Sequence, residues 1–305
     1  MTRRLKILLF GKNGQVGWEL QRSLAPLGEL VALGSSSHSN SIDLCGDLTN
    51  LEGIAATVRK VSPDVIVNAA AHTFVDRAES EPELAGLINA QAPGVLALEA
   101  ARSGALLVHY STDYVFDGSG DRPWLEIDAA GPLSIYGKSK FDGEQAILAS
   151  GCRHLIFRTS WVYAARGANF AKTMLRLAQE REHLRVIDDQ IGAPTGADLL
   201  ADVTAHALRA AVRHPELLGL YHLAASGHTS WHGYASFVID LAREAGLDIK
   251  VAPDSIERVA SSAFATLAVR PNNSRLNTNK LQAAFDLHLP DWQTGVARML
   301  AEIIE

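Results

Sequence analysis

Tyr136 and Lys140 stand four positions apart in Tyr136-Gly137-Lys138-Ser139-Lys140, a spacing that sets both on one face of a helix. An ammonium beside a phenol favours the phenolate and draws the tyrosine pKa down from its free value of about 10. A tyrosine so tuned is a general acid for a carbonyl oxygen that receives hydride. The pattern is common by chance, so its context decides. Upstream, Ser111-Thr112-Asp113-Tyr114-Val115-Phe116-Asp117-Gly118 follows an apolar run, and Thr112 is placed to hydrogen-bond the same carbonyl oxygen. Near the start, Gly11-Lys12-Asn13-Gly14-Gln15-Val16-Gly17 carries glycines spaced three and three, unlike G-x-G-x-x-G. Backbone amides at such a strand-to-helix turn hold a pyrophosphate that glycines let approach closely. Glycine also serves any tight turn.

The elements that must position these residues follow from hydrophobic period. Lys6 to Phe10 reads as a strand, and Val16, Leu20 and Leu24 as the stripe of the next helix. Leu51, Ile54, Val58 and Val61 mark a second helix closed by Pro63, before the strand Val65 to Val67. Leu84 to Ala101 is helical, Ala105 to Tyr110 a strand, Tyr136 to Leu148 a helix and His154 to Arg158 a strand. Continuous apolar strands alternating with amphipathic helices predict an α/β, doubly wound parallel sheet. Residues 1–160 are expected to form a dinucleotide-binding Rossmann domain that also receives later segments, and 161–305 mainly a smaller C-terminal substrate lobe.

Further alternation runs through Leu184 to Ile187, Leu199 to Ala211, Leu220 to Ala224 and Tyr234 to Ala245, then helices near Asn277 to Phe285 and Trp292 to Ile304. The polar run Ser35 to Ser41 reads as a surface loop after the second strand. Gly34 and serines stand where an acidic residue would favour NADH and an arginine NADPH, so both cofactors stay open. Asp47-Leu48 is placed to meet the adenine side, with a helix cap before Leu51 as the alternative for Asp47. Ala70-Ala71-His72-Thr73 ends a strand where a dinucleotide would cross the sheet.

Hydrophobic residues make up 47% and charged residues 20% of the 305, which excludes disordered, collagenous and coiled-coil chains. A formal charge of -6 gives no footprint for nucleic acid. Two cysteines, Cys45 and Cys152, suit a reducing cytoplasm rather than a stapled secreted scaffold. No uninterrupted apolar run reaches the ~18 residues of a membrane span. His222, His228 and His232 match no zinc signature, and Trp18, Trp231 and Trp292 read as packing residues.

Together the three words resemble the extended short-chain dehydrogenase/reductase superfamily. Gln15-Val16-Gly17-Trp18-Glu19-Leu20, Val67 to Thr73, Arg158-Thr159-Ser160-Trp161-Val162-Tyr163, Asp189 to Thr195 and Arg270-Pro271 extend the likeness over essentially the whole chain. Within the superfamily it is similar to the dTDP-4-dehydrorhamnose reductase family. Asn13 and Phe74 depart from that family's pattern in small ways.

The resemblance implies that Gly14-Gln15-Val16 of the Gly11 to Gly17 turn, Asp47, Leu48, Ala70, Ala71, Thr73 and Tyr110 line NADPH or NADH, with Tyr136 and Lys140 also touching it. It implies contacts to a dTDP-deoxysugar from Thr112, Asp113 and Trp161, with Tyr136 as proton donor to the C4 ketone of dTDP-4-dehydro-L-rhamnose. Some members hold magnesium at a homodimer interface through acids corresponding to Glu19, Asp198 and Glu302, where Asp198 replaces a glutamate. Apart from the resemblance, Asn169, Arg270 and Arg275 offer anion contacts, with helix-flanking solvent residues as the alternative for Arg270 and Arg275. The alternatives are a nucleotide-sugar 4-epimerase or 4,6-dehydratase, or a non-catalytic dinucleotide-binding regulatory subunit. A dehydratase would carry an acid after Thr112-Asp113, where Tyr114 stands, and a regulatory subunit would lack Tyr136 or Lys140.

Overall fold

The computed structural model describes residues 4–35 and 44–304. Of the polar run after the second strand, all but Ser35 lies outside the described residues. The first half of the chain alternates β1 (Leu5–Phe10), α1 (Gln15–Leu24), β2 (Gly28–Leu33), α2 (Leu51–Val61), β3 (Val65–Asn68), α3 (Val75–Ser80), α4 (Pro82–Gly86), α5 (Ala92–Ser103), β4 (Leu106–Thr112), α6 (Ile135–Ala149) and β5 (Arg153–Thr159). A π-helical turn, Leu87–Gln91, joins α4 to α5. The second half runs β6 (Val162–Tyr163), α7 (Phe170–Glu180), β7 (Leu184–Ile187), β8 (Ile191–Gly192), β9 (Thr195–Gly196), α8 (Ala197–Ala211), β10 (Gly219–His222), β11 (Thr229–Ser230), α9 (Trp231–Glu244), β12 (Ile256–Val259), α10 (Asn279–Phe285) and α11 (Trp292–Ile304).

Six strands form one parallel sheet in the order β10-β5-β4-β3-β1-β2. Successive side chains along each strand point to opposite faces. Ile7, Leu9, Val65, Val67, Leu106, Val108, Leu155 and Phe157 face one core with Leu20 and Leu24 of α1, Leu200 and Leu208 of α8 and Phe285 of α10. Leu8, Phe10, Ile66, Leu107 and Ile156 face the other, against Ile54 and Val58 of α2, Leu96 of α5 and Ile147 of α6. Both faces are therefore dry, which is why the strands read as unbroken apolar runs. The stretch Pro82–Ser103 is long and apolar enough to cross a membrane by length and composition. Its Leu96, Ala97 and Ala100 are instead spent on the sheet face.

Three later segments return to this sheet: β10 pairs with β5, and α8 and α10 pack on the α1 face. The rest of the second half builds its own cores around Tyr234, Val238 and Val296, and around Ile239, Val251 and Leu184. Chain order reverses between β1 and β3, since β1 leads outward to β2 and the chain then returns to β3. Ligands of open α/β sheets bind beyond the strand C-termini at such a switch point.

Candidate active site

The Gly11 turn leaves β1 at that switch point. Gly11 has φ +89°, and a Cβ there would stand 2.7 Å from the Ala70 nitrogen. At Gly17 a Cβ would run into the Gly11 carbonyl, so only glycine lets α1 start this close under the turn. Gly14 caps α1 without a side-chain hydrogen bond, which leaves the helix start to a ligand.

A cavity of about 770 Å³ opens over this turn. It is lined by Gly11, Gly14, Gln15 and Val16, by Asp47 and Leu48 before α2, and by Ala70, Ala71 and Thr73 after β3. Thr112, Asp113, Tyr136, Lys140 and Trp161 complete it from the ends of β4 and β5 and the start of α6. Residues expected to share a site are thus brought together, except that Gly17 lies beneath the turn rather than on the wall. Tyr110 reaches the wall, but its phenol turns into the core and bonds the Thr204 hydroxyl at 2.6 Å. Tyr110 follows Leu106 and Val108 on the sheet face that packs on α1 and α8. Asp47 does not cap α2. It accepts from the Thr49 amide at 2.9 Å, while Asn50 caps the helix through Gly53.

Helix α6 carries Tyr136 and Lys140. Ser134 caps it through the Gly137 amide at 3.1 Å, and Glu144, fully buried, receives two hydrogen bonds from Arg158 of β5 at 2.9 and 2.6 Å. That pair ties α6 to β5 and so fixes where Tyr136 and Lys140 point. Their electrostatics differ from the expectation. Burial pushes the Tyr136 phenol up to about 12, with the Thr112 hydroxyl pulling the other way and Asp113 adding to the rise. Burial also brings Lys140 down to about 8 against the pull of Glu144. The lysine Nζ donates to the Tyr110 carbonyl at 2.6 Å and lies 3.3 Å from His109 Nε2. Desolvation outweighs the proximity that the four-residue spacing promised.

Thr112 Oγ1 donates to Asp113 Oδ1 at 3.1 Å and accepts from the Tyr114 amide at 3.2 Å. Asp113 is 2% exposed, and burial raises its carboxyl to about 6 against the hydroxyls of Ser274 and Thr112. Tyr114 packs edge-on to Tyr136, centroids 5.5 Å apart.

Trp231 packs on Phe170 and Tyr234 as a helical tryptophan is expected to, and it has a place at the site that its sequence position did not signal. Its ring stacks on Trp161 at 3.6 Å between centroids, and it lines both the first cavity and a second one of about 850 Å³. Trp161 takes φ +49°, and Gly192 makes room for its indole: a Cβ there would lie 2.6 Å from Trp161 Cε2. The second cavity combines Phe170, Met174 and Phe264 with Arg181, Arg185 and Arg270. Of the proposed anion contacts, Arg270 lines it while paired to Asp76 at 2.6 Å. Asn169 is committed to capping α7 and to the Ala164 carbonyl, and Arg275 bonds Asn273. The acids expected to hold magnesium are engaged by arginines: Arg298 reaches both Asp198 and Glu302, at 3.4 and 3.5 Å, and Glu19 pairs with Arg22. Among the described residues no three ligating side chains are grouped for a metal.

A family profile described as the RmlD substrate binding domain matches residues 5–304. The chain belongs to the dTDP-4-dehydrorhamnose reductase family. It is 61% identical over 299 residues to the dTDP-4-dehydrorhamnose reductase of Salmonella typhimurium and 60% identical to that of Escherichia coli strain K12, with 98% of each chain covered in both cases. A crystal structure of the Bacillus anthracis dTDP-4-dehydrorhamnose reductase in complex with NADP superposes with TM-score 0.86 at 34% identity, covering 98% of this chain and 100% of that one. A dTDP-glucose 4,6-dehydratase from Streptomyces venezuelae shares the fold at TM-score 0.77 and 19% identity.

Proposed function

We propose that this chain reduces the C4 ketone of dTDP-4-dehydro-L-rhamnose to dTDP-L-rhamnose with NADPH or NADH. The observation that carries the reading is the meeting of Tyr136, Thr112 and Lys140 on one wall of a cavity whose opposite end is the Gly11 turn. The residues fit a dinucleotide. The glycine turn leaves no room for side chains beneath it, and Gln15 Oε1, Ser111 Oγ and Thr159 Oγ1 are buried there without hydrogen-bond partners. Gly11 to Val16 would hold the pyrophosphate, Asp47 and Leu48 the adenosine side, and Ala70, Ala71, Thr73 and Lys140 the nicotinamide side.

The bound cofactor supplies the hydride for C4. Tyr136 gives its phenolic proton to the sugar oxygen as that oxygen gains negative charge. Thr112 turns its single hydroxyl proton from Asp113 Oδ1 to the same oxygen and orients the ketone, which directs hydride to one face. Asp113 and Trp161 contact the deoxysugar. The Trp161–Trp231 stack adjoins the second cavity, whose aromatic and arginine lining suits a pyrimidine base and a diphosphate.

Two free cysteines support a cytoplasmic location. The homodimer rests on the family resemblance alone, and Arg298 between Asp198 and Glu302 argues against magnesium there.

Absorbance of the reduced nicotinamide tests the reading when purified protein meets dTDP-4-dehydro-L-rhamnose, in parallel with NADPH and NADH. Substrate-dependent oxidation is expected, and the two rates settle cofactor choice. NADPH binding with no oxidation would reject the reductase reading in favour of a regulatory subunit or another sugar. Tyr136→Phe should lower kcat by about 10²–10⁴-fold with cofactor affinity nearly unchanged; near-normal turnover would remove Tyr136 as proton donor.

A further inference from the structure

His109 is 1% exposed in β4, on the sheet face beneath the active site, and directly opposite Asn68 in the register of β3 and β4. Its Nδ1 lies 3.2 Å from Asn68 Nδ2 and its Nε2 lies 3.3 Å from Lys140 Nζ. The other atom of the Asn68 amide accepts from the Ala70 backbone N–H at 3.2 Å. A backbone N–H only donates, so the Asn68 atom facing Ala70 is oxygen and the one facing His109 is the NH₂ group. That NH₂ needs an acceptor, which makes Nδ1 the unprotonated nitrogen. The ring's single proton then sits on Nε2 and points at Lys140 Nζ.

An ammonium has no lone pair to receive it, whereas an uncharged amine accepts from Nε2–H and still donates to the Tyr110 carbonyl. Holding a charged Lys140 in the same place would require the proton on Nδ1, which sets two donors face to face at Asn68.

We infer that Asn68 and His109 are positioning residues for Lys140: the amide fixes the imidazole tautomer, and the imidazole opposes protonation of the lysine until the pair rearranges. This rests on Lys140 serving Tyr136 in the proposed reduction. Each turnover leaves a phenolate that must regain one proton from solvent, and an amine held close to proton uptake at working pH is suited to balance that charge. The other ionisable or charged groups around Lys140 are Glu144, neutralised by Arg158 from β5, and Tyr136 and Asp113 at the cavity. Burial already lowers Lys140 in the same direction, and burial likewise holds His109 neutral.

The test is nuclear magnetic resonance on the full chain with ¹⁵N-histidine and ¹³Cε-lysine labels, His109 and Lys140 being assigned by their loss in His109→Gln and Lys140→Arg. His109 should show protonated Nε2 and bare Nδ1. Asn68→Asp keeps an oxygen for Ala70 and turns the second position into an acceptor for Nδ1–H. It should move the ring proton to Nδ1 and raise the Lys140 titration midpoint by about one pH unit or more, carrying the alkaline limb of kcat with it. If that variant does not fold, His109→Gln reads the same midpoint, since its carbonyl can face the ammonium and should also raise it. A protonated Nδ1 in the unaltered chain, or a midpoint unmoved in the variant that folds, overturns the inference. A midpoint that rises while the pH profile of kcat stays put keeps the positioning role and rejects Lys140 as the group that serves Tyr136.

Discussion

Replacing Asp113 by Asn should stabilise the protein at neutral pH while damaging its activity. The Asp113 carboxyl is buried, and its pKa rises from 3.8 to about 6 mainly because burial penalises the charged form. The folded-state value lies above the unfolded one, so between about pH 4 and 6 the native state binds the extra proton. Stability from this group is therefore present at low pH, falls as pH climbs through that window, and is fully lost above it. A shift of roughly two units corresponds to about 3 kcal/mol at 1.36 kcal/mol per unit. Asparagine is neutral throughout. It keeps an oxygen for the Thr112 hydroxyl but makes the second position a donor, so about half of the cost, ~1–2 kcal/mol, should be recovered. With an unfolding entropy of about 2.1 cal/mol/K per residue over 305 residues, that is a Tm rise of about 2–3 °C at pH 7. Calorimetry from pH 4 to 8 should show the two melting curves converging near pH 4 and separating toward pH 7. On the proposed function Asp113 contacts the sugar, so kcat/KM should fall at least about tenfold. An equal Tm difference at pH 4 and pH 7, or a variant less stable at pH 7, would refute the assignment of the cost to the buried charge.

Three further substitutions probe the frame. Gly17→Ala drives a methyl group into the Gly11 carbonyl and should weaken NADPH binding at least about tenfold, since a misplacement of 1 Å is costly at such a site; calorimetric titration reads it, and unchanged affinity would show that α1 can shift freely. Trp231→Ala opens the wall between the two cavities and should raise KM for the nucleotide sugar about tenfold or more, as expected for loss of a stacked ring, while leaving NADPH affinity as it was; a loss of NADPH binding instead would place Trp231 on the cofactor. Arg158→Met leaves Glu144 charged and unpaired at 0% exposure, which should cost about 3–5 kcal/mol in chemical denaturation; a loss below 1 kcal/mol would mean that α6 does not depend on this pair.

The sheet was legible because both of its faces are buried: Lys6 to Phe10, Val65 to Val67 and Ala105 to Tyr110 could hardly be anything else once glycine, proline and helical stripes bounded them. The site residues were legible because strand ends and helix starts are fixed in chain order, so Thr112, Tyr136 and Lys140 had to meet at the same edge. Direction and charge were not. Nothing in the spacing of Tyr110 and Thr112 says that the phenol of the first is given to Thr204 in the core. Helix α3, six residues long, left little trace, whereas α7 carries an apolar stripe at helical spacing in Ala171, Met174, Leu175 and Ala178. Trp231 read as a packing residue because it opens a helix. Only the fold of the second half shows that this helix start abuts the end of β5, where Trp161 meets it.

In the proposed reduction, a Tyr136 phenol that burial raises to about 12 suits a proton donor better than the lowered one the Tyr136–Lys140 spacing suggested. Reduction of a ketone needs the tyrosine in its acid form at the moment hydride arrives, and a raised pKa keeps it protonated across the working range. The sugar oxygen becomes an alkoxide, which is far more basic than any phenolate, so proton transfer runs downhill without an unusually acidic donor. What the raised value makes costly is the phenolate left afterwards, in a wall that already holds the buried carboxyl of Asp113. A nearby group must then change charge, and a lysine brought down to about 8 by the same burial is placed to do so. Desolvation thus moves the tyrosine and the lysine in opposite directions, keeping one protonated and bringing the other close to proton exchange, so that the low dielectric of the site separates the roles of acid and counter-charge.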